Sequence, residues 1–248
     1  MQEIGYDYIV TGHYARVEYD EKRDRYLLKK AVDDTKDQSY VLYMLTQEQL
    51  AHVKLPLGGL RKDQVRVIAE KHGFINARKH DSQDICFVPD GDYAKFIEKY
   101  TGKKTPEGDF VDKEGNYIGR HKGIIHYTIG QRRGLGIPAA SRLYVCEISP
   151  KTNTVVLGDN ADLFSSELEA DSVNLISVDS LTEPKRVTAK IRYRHKEQPA
   201  TAWQTPDGIL HVKFDEPQRA ITKGQAVVMY DGDEVVGGGV INKIYSQS

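Results

Sequence analysis

The sequence predicts an α/β segment, then a small central α+β region, then a C-terminal antiparallel β-barrel. Two observations support this order. In the first part of the chain, strand patterns mix with apolar residues at helical spacing. From Arg142 the apolar residues alternate with a period of two, which is typical of half-buried strands. We place the α/β segment at 1–85, the central region at 86–141 and the barrel at 142–248.

The α/β segment contains two strand patterns, "YDYIV" and "RYLLKKAV", and three helical patterns. "QSYVLYML" is apolar with helical spacing, and Thr46 and Gln49 form a capping-box pattern for a short helix. "LRKDQVRVIAEKHGF" is the clearest helix, because its apolar residues keep helical spacing and Gly73 stands where a helix ends. Two strands are too few for an α/β sheet, so we expect part of this domain to lie upstream of Met1.

A further helix is predicted after Cys86. Asp90 or Asp92 can cap its N-terminus, and Gly102 ends it. A loop-rich, Gly-rich stretch follows to about Ser141. The predicted barrel strands, separated by turn residues, are "RLYVCEIS", "TVVLG", "RVTAKIRYRH", "ATAWQT", "ILHVKF", "QAVVMY" and "EVVGGGVI".

Composition describes a globular chain without signals for a membrane or for secretion. The 248 residues carry a formal net charge of −1, so no overall field attracts nucleic acid or a membrane surface. No apolar run approaches the roughly 20 residues of a membrane helix. The two cysteines cannot build a disulfide framework, and the histidines lack ligand spacing for a metal. We expect a cytoplasmic protein with no metal site and no membrane partner.

Two stretches are basic although the whole chain is not. Residues 115–146 contain five Lys or Arg and residues 184–196 contain six, and neither stretch contains an acid. Such stretches favour contact with a polyanion, because each phosphate that is neutralised releases bound counterions. Solvated strand faces whose balancing acids lie elsewhere in the fold explain the pattern equally well.

The two cysteines differ in their surroundings. Cys146 lies in the strand pattern "LYVCEIS", which favours a buried structural thiol. Cys86 has Asp81 and Asp84 as neighbours, and these acids raise a thiol pKa. The residues alone therefore favour a structural role for Cys86 as well.

Two loops are candidates for ligand binding. "TGHY" follows the first strand pattern, where ligands of α/β sheets lie, and its glycine allows close backbone approach. A tight turn explains it equally well. "HKGIIHYTIGQRRGLGIP" is rich in basic residues and glycine but is not a P-loop. It is either a loop on a phosphate backbone or over a site, or a turn-rich surface loop.

Six segments occur in a fixed order along the chain: "TGHYAR", "KDQSYVLYML", "DSQDICF", "HKGIIHYTIGQRRGLGI", "KIRYRH" and "GQAVVMYDGDEVVGGGVI". Together they resemble the tRNA-specific 2-thiouridylases, the MnmA/TrmU family, over essentially the whole chain. The resemblance implies an adenine-nucleotide hydrolase-like α/β domain of the ATP-pyrophosphatase type, here incomplete. It also implies a central domain and a tRNA-binding β-barrel.

The resemblance implies a tRNA sulfurtransferase. Family members replace the 2-oxygen of the wobble uridine with sulfur in the tRNAs for Lys, Glu and Gln. Mg-dependent use of ATP adenylylates that oxygen, and a cysteine persulfide then supplies the sulfur. The implied partners are tRNA, a cysteine desulfurase and sulfur-relay proteins.

Residue roles follow from the same resemblance. Cys86 of "DSQDICF" matches the persulfide cysteine, which reverses the structural interpretation given above. Gly12 of "TGHY" matches a position that touches ATP. The positions that match tRNA contacts are His13, Lys36, Asp37, Gln38, Arg192, Tyr193 and Gln225.

Some family features have no match in this sequence. These are the Gly- and Ser-rich nucleotide loop, the other catalytic cysteine, which Cys146 does not match, and the acid beside it. We therefore expect the chain to be a truncated member that is inactive alone. Two alternatives are a non-catalytic RNA-binding barrel, which needs no cysteine at Cys86, and a tRNA methyltransferase, a label this family has carried. No Gly-rich S-adenosylmethionine loop supports the methyltransferase.

Overall fold

Strands carry most of the fold in the computed structural model, which describes residues 5–77, 88, 91–138 and 142–245. The strands are β1 (Ile9–Val10), β2 (Ala15–Asp20), β3 (Arg25–Lys30), β4 (Val53–Lys54), β5 (Gly108–Val111), β6 (Tyr117–His121), β7 (Tyr144–Ser149), β8 (Thr154–Gly158), β9 (Phe164–Leu175), β10 (Lys185–Lys190), β11 (Gln198–Gln204), β12 (Leu210–Arg219), β13 (Ala226–Asp231) and β14 (Glu234–Tyr245). The helices are α1 (Ser39–Leu42), α2 (Gln47–Ala51), α3 (Lys62–Lys71) and α4 (Tyr93–Thr101).

The described residues divide into two units. The first contains residues 5–77, 166–217 and 222–245, and the second contains 88, 91–138, 142–165 and 218–221. In the first unit six of the described strands close into an antiparallel barrel in the order β13, β10, β11, β12, β9 and β14, with β14 pairing back to β13. The predicted barrel is confirmed, although the long strand β9 had no counterpart among the predicted strands.

The hairpin β2–β3 extends the barrel sheet beside β14, where Glu234 lies opposite Lys29. The strand in "RYLLKKAV" is confirmed, but it joins the barrel sheet and not a separate α/β sheet. Arg23 holds the hairpin to β14 with a two-point ion pair to Glu234 at 2.8 and 2.9 Å. The shared core lies beneath, and its buried members are Ala15, Leu28, Tyr40, Tyr43, Leu50, Ile176, Val228, Tyr230 and Val235.

Glycines in β14 make room for this shared core. A Cβ atom at Gly238 would lie 2.5 Å from the Val227 carbonyl oxygen and 2.7 Å from Cδ2 of Tyr43. Both distances are shorter than any ordinary contact, so only glycine admits Tyr43 against the barrel wall.

The remaining α/β elements are short. β1 and β4 form a two-stranded parallel sheet. The capping box predicted for Thr46 and Gln49 is present at α2, and α3 ends before Gly73, whose φ is +71°. "QSYVLYML" is helical only over α1. Within the described residues, no helix is long and apolar enough to cross a membrane.

The second unit contains a sheet in the order β6, β5, β8 and β7. This corrects two expectations. First, β5 and β6 are strands in the stretch that was predicted to be loop. Second, β7 and β8 were predicted as barrel strands, but β8 pairs in parallel with β5, and β7 pairs with β8. Helix α4 is confirmed, with Asp92 as its cap and Gly102 in the left-handed conformation at φ +66°. The core of the unit contains Phe110, Tyr127, Leu135, Val145, Val155 and Leu157.

Candidate functional site

Two segments that the sequence places far apart meet beside strand β2. The amide of Tyr14 donates to Oε1 of Gln38 at 2.9 Å, and the amide of Gln38 donates to the Tyr14 carbonyl oxygen at 2.8 Å. Tyr14 directly follows Gly12 and His13, so these two hydrogen bonds fix the "TGHY" loop against the "KDQ" segment. The predicted residues Gly12, His13 and Gln38 are therefore neighbours in the fold.

The "KDQ" segment is shaped by two carboxylates. Asp37 accepts from the amides of Ala31 and Ser39 at 3.0 and 3.2 Å and from the Ser39 hydroxyl at 2.8 Å. Asp33 is buried, and the Thr35 hydroxyl and the Lys62 amide hold its pKa below the usual value. The Asp37 carboxylate thus serves the loop itself, and Lys36 lies between the two anchored acids.

A third segment, from the barrel, reaches the same place. The Tyr193 hydroxyl donates to the Asp37 carbonyl oxygen at 3.3 Å, and the Tyr193 and Tyr40 rings lie 6.0 Å apart. The buried Tyr40 hydroxyl in turn donates to the carbonyl oxygen of Ala226 at 2.9 Å. Ala226 follows the exposed Gln225, so the neighbourhood includes the last predicted site residue as well.

Basic and acidic groups both act on this site. Lys190 Nζ lies 5.8 Å from the Tyr40 ring centroid. Burial, followed by the charges of Arg192 and Lys190, lowers the pKa of His195, which favours the neutral imidazole at pH 7. Burial, followed by the charge of Asp37, raises the pKa of Tyr193 and keeps its hydroxyl protonated as a donor.

The second basic stretch divides in two. Lys185 pairs with Asp231 at 2.8 Å. Arg186 pairs with Asp215 through its two terminal guanidinium nitrogens, Nη1 and Nη2, at 2.8 and 2.7 Å. These charges lie on a solvated strand face with balancing acids, as one of the two interpretations expected. Arg192 lies instead beside Tyr40 and His195, where the candidate site residues converge.

The carboxyl end of β1 offers a second edge to a ligand. Gly12 is exposed two residues beyond Val10, and a Cβ atom there would meet only Leu57 Cδ1, at 3.5 Å. β1 and β4 run parallel, so their carboxyl ends share this edge. The backbone at Gly12 is therefore open to close approach by a ligand. Among the described residues, no group of three His, Cys, Asp or Glu side chains could hold a metal ion.

The two cysteines remain separate cases. Cys86 lies outside the described residues. Cys146 is half-buried in β7, with Sγ 3.5 Å from the Tyr144 carbonyl oxygen. Burial, followed by the charge of Asp162, raises the pKa of Cys146 to about 11. The thiol is therefore protonated at neutral pH, which supports the structural interpretation of Cys146.

Sequence reasoning missed three residues of this site. Tyr14 was considered only as part of the "TGHY" loop and Tyr40 only as part of the apolar pattern "QSYVLYML", and both are buried. Their contacts nevertheless join the predicted segments, Tyr14 through its backbone and Tyr40 through its hydroxyl. Lys190 was counted only as one charge of a basic stretch. Their positions in the sequence could have indicated them, because each of the three residues lies within two residues of a predicted site residue.

Comparison with known proteins places the chain in a family. Residues 1–90 match the tRNA methyl transferase HUP domain, 94–159 the tRNA methyl transferase PRC-barrel domain, and 165–241 the aminomethyltransferase beta-barrel domain. The chain is 57% identical over 242 residues to the tRNA-specific 2-thiouridylase MnmA of Clostridioides difficile, covering 98% of this chain and 67% of that protein.

A second relative gives the same result. The chain is 56% identical over 238 residues to the tRNA-specific 2-thiouridylase MnmA of Acetivibrio thermocellus, covering 96% of this chain and 66% of that protein. The chain thus spans about two thirds of the length of these curated relatives. With this identity over nearly all of its length, the chain belongs to the tRNA-specific 2-thiouridylase family.

Proposed function

We propose that the chain carries the sulfur-transfer and tRNA-holding parts of a cytoplasmic tRNA-uridine 2-sulfurtransferase. The observation that carries this proposal is the hydrogen-bonded convergence of the "TGHY", "KDQ" and "RYR" segments. Tyr14, Gln38, Asp37 and Tyr193 connect these segments directly. The relatives named tRNA-specific 2-thiouridylases support it, since they share more than half of the aligned residues.

Each tRNA-contacting residue suits a different part of an RNA. Lys36 and Arg192 carry the charges that neutralise phosphates, which position an RNA without reading its sequence. Tyr193 is 42% exposed, and its ring offers a face on which an unstacked base can lie. His13 and Gln225 border the same place.

Gln38 is suited to hold the uridine itself. Its Oε1 atom accepts from the Tyr14 amide, which fixes the orientation of the side-chain amide. The amide nitrogen then has two protons to donate, and uracil presents two carbonyl oxygens as acceptors. We assign Asp37 to the same segment as the residue whose carboxylate holds the loop in shape.

ATP and sulfur complete the proposed reaction. The exposed backbone at Gly12 is assigned to ATP, which with Mg²⁺ would supply the adenylate that turns the uridine oxygen into a leaving group. Cys86 is assigned to the sulfur. Its thiolate attacks the outer sulfur of a donor persulfide, the donor S–S bond breaks, the donor leaves as a thiolate, and Cys86 becomes the persulfide.

The proposed substrates are the tRNAs for Lys, Glu and Gln. The proposed sulfur donors are a cysteine desulfurase and its relay proteins. Loading of Cys86 needs neither ATP nor RNA, so this chain can be tested as it stands.

The test uses cysteine that is radiolabelled at its sulfur atom. A cysteine desulfurase transfers this sulfur, and the label on the chain is detected on a non-reducing gel. We expect wild-type chain to take label that a reductant releases, and Cys86→Ser to take none. Cys146→Ser is the matched control and should load normally, because a thiol with a pKa of about 11 is protonated during the assay. Label on the Cys86→Ser chain would contradict the assignment. A chain that binds tRNA but never loads sulfur would instead be an RNA-binding module.

A further inference from the structure

The second unit contains a cavity between two arginines that the proposed function leaves unexplained. Its volume is about 280 Å³. The residues that line it are Arg132, Gly134, Leu135, Gly136, Ile137, Arg142 and Leu143. These described residues combine two guanidinium groups with apolar and glycine positions, and none of them carries a carboxylate.

The walls of this cavity are fixed by the core of the unit. Leu135 is buried beside Phe110, and Ile137 and Leu143 pack against the same core. The packing of these three apolar side chains fixes the backbone next to Arg132 and next to Arg142. The arginines themselves are exposed, so the protein fixes their backbones and leaves their charged ends in solvent.

Gln131 braces the loop from the other side. Its Oε1 atom accepts from the Thr128 amide, and its Nε2 atom donates to the Arg133 carbonyl oxygen, both at 3.0 Å. Gly134 and Gly136 have φ values of +77° and +73°, a backbone conformation that other residues rarely adopt. The loop that presents Arg132 is therefore held in one shape before any ligand arrives.

Arg132 and Arg142 differ from other basic residues of this unit in their ion pairing. Within the described part of the chain, neither arginine makes an ion pair. Other cations of this unit do, since Arg120 pairs with Asp109 at 3.0 Å and Lys113 pairs with Asp162 at 2.7 Å. Two arginines that have no ion pair among the described residues make a region of positive potential at the cavity, which favours an anion there.

The size of the cavity and the chemistry of its arginines indicate which anion it fits. Pockets for drug-sized ligands begin at about 300 Å³, so this cavity suits a phosphate group with part of its ribose. The planar guanidinium fork of arginine matches phosphate oxygens in two-point contacts. We propose that Arg132 and Arg142 form a binding site for a backbone phosphate of the bound RNA. This site rests on the proposed tRNA function, and it would be a positioning contact without sequence preference.

The test is a salt titration of binding between the full chain and a fluorescent tRNA transcript for Glu. We expect Arg132→Ala and Arg142→Ala each to reduce the log–log slope by about 0.7 to 0.9, the contribution of one phosphate. Arg132→Lys keeps the charge and should keep the slope, while its affinity falls because the two-point contact is lost. The matched control is Arg120→Ala, which removes an equal but already paired charge and should leave the slope unchanged.

The controls separate this inference from the proposed function. If Arg192→Ala lowers the slope while Arg132→Ala and Arg142→Ala do not, the cavity is not an RNA contact and the tRNA function stands.

A parallel titration with inorganic phosphate tests whether the cavity binds a free phosphate ion and not an RNA phosphate. Phosphate binding that Arg132→Ala abolishes, without any change in the RNA slope, would mean a site for free anions and would overturn the RNA assignment. If wild-type chain binds no tRNA even at low salt, both proposals fail. Far-UV circular dichroism of each variant confirms that the fold is retained.

Discussion

The Tyr193 hydroxyl donates a hydrogen bond to the Asp37 carbonyl oxygen, 3.3 Å away in space and 156 residues away in the chain. This contact ties a bend after barrel strand β10 to the loop that precedes α1. The Tyr193 ring centroid also lies 6.0 Å from that of Tyr40, a buried residue of α1. The candidate tRNA surface is therefore built jointly by the first segment and the barrel, and not by the barrel alone.

Replacing Tyr193 with Phe tests whether this bond matters for binding. The variant keeps the ring but loses the hydroxyl, which should cost about 0.5–1.5 kcal/mol of folding stability. The "KDQ" segment then loses one tether, so we expect weaker binding of a tRNA anticodon stem-loop, measured by fluorescence anisotropy. Tyr117→Phe, on a residue that is 63% exposed, is the control and should change neither quantity. Unchanged RNA affinity in Tyr193→Phe would show that the tether is dispensable.

The bond between Gln38 and Tyr14 gives a second prediction. Gln38→Ala leaves the Tyr14 amide, on a buried residue, without its acceptor, and this should lower the free energy of unfolding by about 1–3 kcal/mol. Gln38→Glu keeps an oxygen at the same place and should retain most of that stability. Urea unfolding of the three proteins measures the difference. Equal midpoints for Ala and Glu would mean that the side-chain bond contributes nothing.

Local patterns in the sequence predicted local structure well. The capping box at Thr46, the cap at Asp92 and the glycine after α4 were all readable, because each depends on residues within one helical turn. Alternation also identified most barrel strands. Alternation does not say which sheet a strand joins, and β7 and β8 show this, since they alternate like barrel strands but pair with β5.

The candidate site could be named from the sequence but not assembled from it. The family resemblance marked Gly12, Gln38 and Tyr193, and no local pattern connects them. Their proximity depends on the pairing of β3 with β14 and on the buried Tyr40, which are consequences of the whole fold. The parallel edge at β1 and β4 likewise depends on a pairing between residues 44 apart in the chain, such as Val10 and Lys54.

Gly58 provides a stability prediction next to the "TGHY" loop. A Cβ atom at Gly58 would lie 1.7 Å from the carbonyl oxygen of buried Ala15, so Gly58→Ala must push two backbone segments apart. We expect a loss of about 1–3 kcal/mol, the usual range for overpacking, or more because backbone cannot rotate away. Gly59→Ala is the matched control, since no atom lies within 4 Å of its Cβ position. Thermal unfolding should separate the two variants by several degrees, and equal melting temperatures would disprove the close packing.

The basic stretch at 184–196 allows a matched test of the RNA surface. Arg192→Ala should reduce the log–log salt slope of tRNA binding by about 0.7 to 0.9, because one phosphate contact is lost. Arg186→Ala removes the same formal charge from a residue that pairs with Asp215 at 2.7 Å on the strand face and that is not among the proposed RNA contacts. We expect its slope to stay close to wild type. The measurement is fluorescence anisotropy with a labelled anticodon stem-loop between low and physiological salt. If both variants reduce the slope equally, net charge alone governs binding and Arg192 makes no specific phosphate contact. If neither changes it, the site around Tyr193 is not where the RNA backbone lies.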